Sequence, residues 1–94
     1  VGIVSAELRF GEAGSLKDKR MHLRRVRDRL TKRHGATFAE IGYQDLWRRA
    51  VVVFAVASSD VHELEKRVAA AIAFLDSQEW ELAWVHEEVV EIDE

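Results

Sequence analysis

The stretch Arg49-Ala50-Val51-Val52-Val53-Phe54-Ala55-Val56-Ala57-Ser58-Ser59-Asp60-Val61-His62-Glu63-Leu64 decides the fold. Both alternating sets of its first half are apolar, Val51, Val53 and Ala55 against Val52, Phe54 and Val56. A strand apolar on both faces is a central strand, predicted here from Trp47 to Ala57. Ser58-Ser59-Asp60 then offers side-chain oxygens to the free N–H groups of a helix start. The buried stripe of that helix reads Val61, Leu64, Val68, Ala71, Ile72 and Leu75. Working upstream, Val1 to Phe10 alternates, with Val4, Ala6, Leu8 and Phe10 opposite Ser5, Glu7 and Arg9, which predicts a strand with one buried face. Ser15 caps a first helix with the stripe Leu16, Leu23, Val26 and Leu30, and His34-Gly35 ends it. Ala36 to Tyr43 reads as a second strand, 76–79 as a connector and Trp80 to Ile92 as a last strand.

The order strand, helix, strand, strand, helix, strand is the ferredoxin-like split βαβ. The α+β expectation is a two-layer sandwich, with an antiparallel sheet in the order 4-1-3-2 and both helices on one face. At 94 residues the chain has room for one such domain and a modest core. Its other sheet face is expected to carry apolar residues. Phe54, Trp80 and Trp84 are the candidate interface, buried against a second copy.

The chain has no Cys, so disulfides, thiolate metal sites and Cys nucleophiles are excluded. A cytoplasmic setting fits that composition, and no segment reads as a signal peptide or a membrane span. The four histidines His22, His34, His62 and His86 show no metal-ligand spacing, so neither a metal nor a cofactor is implied. His34 is placed to interact favourably with the helix dipole. No nucleophile elbow or phosphate-binding Gly-Lys-Ser/Thr ending occurs. The acids do not converge into a general acid–base pair, so no catalytic residue is assigned. Glu7 and Arg9 are expected to make structural ion pairs, with Glu40 or Arg48 as partners.

The net charge of -3 hides two opposed blocks. From Ser15 to Gly35 nine basic residues face two acids, a local charge of +7; from Asp76 to Glu94 eight acids stand without a Lys or Arg. Lys17, Arg20, Arg24 and Arg27 recur every three or four residues and share one helix face. With Arg48 and Arg49 they are the candidate RNA- or phosphate-binding set. An RNA-recognition motif shares the topology but stacks bases on strand aromatics. Here the third strand holds only Phe54 beyond Trp47, so backbone contact is favoured over base reading.

Two segments, Ser15-Leu16-Lys17-Asp18-Lys19-Arg20 and Glu40-Ile41-Gly42-Tyr43-Gln44-Asp45-Leu46-Trp47-Arg48-Arg49-Ala50, resemble the signature stretches of the YlxP-like family, a domain of unknown function (family 503). The resemblance implies a small bacterial protein with a ferredoxin-like fold. Genes of that family often lie among those for translation initiation and ribosome maturation factors. It therefore implies a role near ribosome assembly or translation and no established catalytic residues; the leading expectation is a non-enzymatic binding protein with ribosomal RNA or translation proteins as partners. Acylphosphatases, which share the fold, use an Asn and a first-loop Arg; this chain has no Asn and no Arg between Gly11 and Leu16. The alternative is a regulatory module that binds a small molecule near the loop Gly11 to Ser15.

Overall fold

A sheet needs one face covered before it can hold together, and here two amphipathic helices supply the cover. The structure is a computed structural model and describes residues 1–76 and 80–92. Its elements are β1 (Gly2–Arg9), α1 (Leu16–Arg33), β2 (Thr37–Gly42), β3 (Arg49–Val56), α2 (Val61–Asp76) and β4 (Glu81–Val89). The sheet is antiparallel throughout, in the order β2-β3-β1-β4, which is the expected ferredoxin-like 4-1-3-2. Positions 77–79 of the expected connector lie outside the described residues.

β3 and β1 pair over their full length, from Gly2 opposite Val56 to Arg9 opposite Arg49. That register puts Val4, Ala6 and Leu8 beside Phe54, Val52 and Ala50, all fully or almost fully buried. Leu23, Val26 and Leu30 of α1 and Leu64, Val68, Ala71 and Leu75 of α2 close over them in one core. Each large side chain so buried contributes roughly 1.5–3 kcal/mol relative to leaving it in water. Gly2 lets β1 run close under α2: a Cβ there would sit 2.6 Å from Val68 Cγ2.

The helix ends follow the local chemistry. Ser15 Oγ accepts from the Asp18 N–H at 3.1 Å, and Asp60 Oδ1 accepts from the Glu63 N–H at 3.1 Å. Gly35 leaves α1 at φ +62°, the left-handed region where a side chain is strained, and the Ala36 N–H returns to the Leu30 carbonyl.

Two of the three candidate interface residues are core residues. Phe54 is 1% exposed, because the Val52-Phe54-Val56 set of β3 is the one turned to the helices. Alternation alone could not choose between two apolar sets. Trp80 is 6% exposed; its Nε1 donates to the Leu75 carbonyl at 3.0 Å and its ring meets Phe10 and Phe74 edge-on. Only Trp84 stands on the open face. A bulge separates it from Trp80: Leu8 faces Leu82 while Glu7 faces Trp84, which leaves Ala83 as the extra residue. One extra residue reverses the side-chain alternation.

Candidate functional site

Three cations of the predicted helix face are brought together. Arg20, Arg24 and Arg27 line a cleft of about 380 Å³ between α1 and β2, with Phe38, Ala39 and Glu40 on its other wall. Lys17 lies exposed one turn before Arg20 on the same helix. Among the described residues internal pairing is weak: Arg27 Nε approaches Asp28 Oδ1 at 3.6 Å with both side chains about half exposed. These side chains are free to meet an oxyanion from solution.

Arg48 and Arg49 are placed elsewhere. Adjacent strand residues point to opposite faces. Arg48 Nε donates to the Ala13 carbonyl at 3.1 Å, and the Arg48 carbonyl accepts from the Phe10 N–H at 2.8 Å. Arg48 thus pins the β1–α1 loop. Arg49 lies on the open sheet face, across the sheet from α1. Its Nε donates to Glu7 Oε2 at 2.7 Å, its Nη2 to Glu7 Oε1 at 3.1 Å, and its guanidinium stacks 4.0 Å over the Tyr43 ring.

Glu7 is the centre of that second cluster. It also accepts from Arg9 Nε and Trp84 Nε1, each at 3.1 Å, and is 3% exposed on a face without helices. The expected partners Glu40 and Arg48 are thus replaced by Arg9 and Arg49, because Arg48 and Glu40 belong to the other face. The bidentate bond from Arg49, with Arg9 and Trp84, holds the Glu7 carboxyl down at about 2, against the burial that would raise it. A carboxylate so far below neutrality is a poor general base. Bulges flank this row on both sides, at Ala83 in β4 and at Ile41 in β2. They aim Trp84 and Tyr43 toward Arg49 and Glu7.

Sequence reasoning missed Lys19. It is 1% exposed; its Nζ meets Glu40 Oε2 at 2.8 Å and donates to the Tyr43 carbonyl at 2.7 Å. Spacing held the signal, since Lys19 stands four residues before Leu23 and seven before Val26, on the buried stripe. Through it the two resembling segments meet: Ser15–Arg20 supplies the ammonium, and Glu40–Ala50 supplies the carboxylate and the turn. Tyr43, at φ +55°, accepts from the Leu46 N–H in that turn, which presents Leu46 and Trp47 half exposed.

His34 caps the C-terminus of α1, but its charge is disfavoured there. Burial first, then Arg29, Arg33 and Arg67, push its pKa below the ordinary histidine value. Burial and nearby cations thus disfavour the charge that a helix C-terminus would otherwise favour. Among the described residues, no group of three or more His, Asp or Glu could hold a metal ion. No helix among them is long and apolar enough to cross a membrane.

Fold and surface together define a small ferredoxin-like domain with a cationic helix on one side and a polar lattice set into its open sheet. The chain belongs to the DUF503 family, described as proteins of unknown function, whose model matches residues 1–89. It is 38% identical over 77 residues to the uncharacterised protein YlxP of Bacillus subtilis (strain 168), covering 82% of this chain and 84% of that protein. A solved structure of protein YJCS superposes with a TM-score of 0.58 at 14% identity, covering 96% of this chain and 98% of that one. That likeness concerns the fold alone.

Proposed function

We propose that the protein is a non-enzymatic binding protein of the cytoplasmic ribosome-assembly or translation apparatus, and that α1 contacts RNA phosphates. The observation that carries this reading is the exposure of Lys17, Arg20, Arg24 and Arg27 along one helix with little internal neutralisation. The absence of stacked aromatics on β3 favours shape and backbone contact over base reading. Each neutralised phosphate adds about -0.7 to -0.9 to the slope of log affinity against log salt. The test is fractionation of lysate on sucrose gradients at low and high salt. Co-migration with ribosomal subunits, lost at high salt and lost in Arg24→Glu, Arg27→Glu, supports the reading. Association that ignores both salt and the double change sinks it.

The same reading includes a homodimer through the open sheet face. Glu7, Arg49 and Trp84 satisfy one another there, which leaves Ile3, Val51, Val53 and Trp84 as an apolar patch, with Ser5, His86 and Glu88 at its β4 side. Four strands about 4.8 Å apart and eight residues of about 3.3 Å give a face of roughly 500 Å² in projection. That is close to what a standard interface of about 800 Å² accessible surface per partner needs. Sedimentation equilibrium at micromolar concentration should give a dimer, and Val53→Glu a folded monomer; a monomeric wild type refutes this part.

A cleft of about 520 Å³ beside the first loop, lined by Arg9, Gly11, Glu12, Arg48, Arg49 and Glu81, keeps the small-acid regulatory reading as the alternative. A metabolite-dependent rise in Tm would favour it.

A further inference from the structure

The side of α1 turned toward α2 gathers cations from both helices. We propose that the trough between α1 and α2 seats an RNA phosphodiester backbone, which builds on the RNA reading above and adds a second, more enclosed set of contacts to the Arg20–Arg24–Arg27 face. The trough has a main part of about 710 Å³ lined by Arg29, Arg33, His34, Lys66, Arg67 and Phe74. A smaller part of about 380 Å³ continues it, sharing Arg29, Arg33 and Phe74 and adding Arg25 and Lys32.

Among the described residues no carboxylate lines the main part, and the smaller part has only Asp28, which already faces Arg27. Arg29, Arg33, Lys66 and Arg67 make no ion pair among those residues. Four cations sharing one concavity with no counter-charge among the described residues repel one another, and an oxyanion relieves that repulsion. The His34 ring, 6.0 Å from that of Phe74, lies within the same field.

Two of the cations are braced. Arg67 donates from Nη1 to the Ala57 carbonyl at 3.2 Å and from Nη2 to the His34 carbonyl at 3.0 Å. Arg29 lies 5.4 Å over the Phe74 ring. Fixing a guanidinium before the ligand arrives lowers the entropy lost on binding. Phe74 floors the trough with an aromatic ring packed between Arg29, His34 and Trp80.

Length argues for a polymer. The trough follows α1 from Arg25 to Arg33, about 12 Å of helix at 1.5 Å per residue. Along it Arg29, Lys32 and Arg33 of α1 and Lys66 and Arg67 of α2 line the walls, more cations than a single phosphate can engage.

The experiment follows the His34 imidazole by NMR in the full chain, titrated with inorganic phosphate, ribose 5-phosphate or a short oligouridylate. The oligouridylate should raise the His34 pKa by about one unit, as an anion within a few ångströms favours the charged ring. It should also bind at least about tenfold more tightly than either small phosphate, because several contacts act together. Arg33→Glu with Lys66→Glu should abolish the ligand-induced shift and weaken binding about tenfold or more, whereas Arg24→Glu, Arg27→Glu should keep the shift. Arg33→Gln with Lys66→Gln is the gentler pair if the charge reversal disturbs folding. Oligouridylate binding that leaves His34 unmoved overturns the trough while sparing the RNA reading. Ribose 5-phosphate binding as tightly as the oligomer overturns the polymer assignment. No oligouridylate binding at all overturns both.

Discussion

Replacing Lys19 by Met isolates the contact that joins the two resembling segments. The methylene stem of Lys19 is buried, and Met fills a similar volume, so the packing loss is small. What disappears is the ammonium that meets Glu40 at 2.8 Å and the Tyr43 carbonyl at 2.7 Å. Removing one partner of a fully buried pair costs about 3–5 kcal/mol. Glu40 is 24% exposed, so water recovers part of that; the Tyr43 carbonyl keeps the Leu46 N–H as a donor, so losing the ammonium there adds only a little. The expected net cost is about 2–3 kcal/mol. For a domain of this size it lowers Tm by roughly 10–20 °C. Urea and thermal melts followed by circular dichroism supply the measurement, with Glu40→Gln and the double variant completing a cycle. The pair should couple by about 1 kcal/mol or more. Hydrogen exchange at the Leu46 amide, which donates to the Tyr43 carbonyl, should accelerate in Lys19→Met. A Lys19→Met cost below about 1 kcal/mol, or additivity within about 0.5 kcal/mol, refutes the idea that this ion pair holds the turn.

Glu7 makes stability fall in acid. Its folded pKa of about 2 lies below the ordinary 4.5, so its contribution is complete above about 4.5 and lost as pH falls toward 2. Denaturation midpoints between pH 5 and 2 should show that slope, and Glu7→Gln should flatten it; an unchanged slope denies Glu7 the role. Gly2→Ala should cost about 1–3 kcal/mol by overpacking β1 against Val68, which is buried and cannot swing aside. A neutral Gly2→Ala in a urea melt would mean that α2 shifts freely over the sheet.

The junction at Val56–Asp60 announced the fold because strand and helix cap differ in chemistry: apolar alternation stops where side-chain oxygens begin. Burial within β3 was not legible, since Val51-Val53-Ala55 and Val52-Phe54-Val56 are equally apolar and only partners distinguish them. Trp80 and Trp84 share a parity in sequence and lose it at Ala83, because a bulge is decided by strand pairing. The cations of α1 were plain in the sequence. Their division between a β2 side and an α2 side depends on where α2 packs, which the segment 15–35 does not contain. Arg48 and Arg49 resemble one continuous patch when written in a row, yet Arg48, just before β3, is tied to the Ala13 carbonyl while Arg49, its first residue, is tied to Glu7. Lys19 was hidden by its type: a lysine on a buried stripe reads as surface until Glu40 and the Tyr43 carbonyl are seen to meet it.

The sheet order carries one more consequence. α1 packs against β2 at one edge of the sheet, and β4 forms the other edge. Three strand spacings put roughly 14 Å between those edges, beyond the screening length of about 8 Å at physiological salt. Glu87 and Glu88 of β4 and Glu91 just past it therefore leave the field of α1 largely intact. Before a polyanion such a molecule feels a torque as well as an attraction. The helix is drawn forward and the acidic edge is pushed to the rear, as a vane turns in wind, so that collisions arrive already facing the right way.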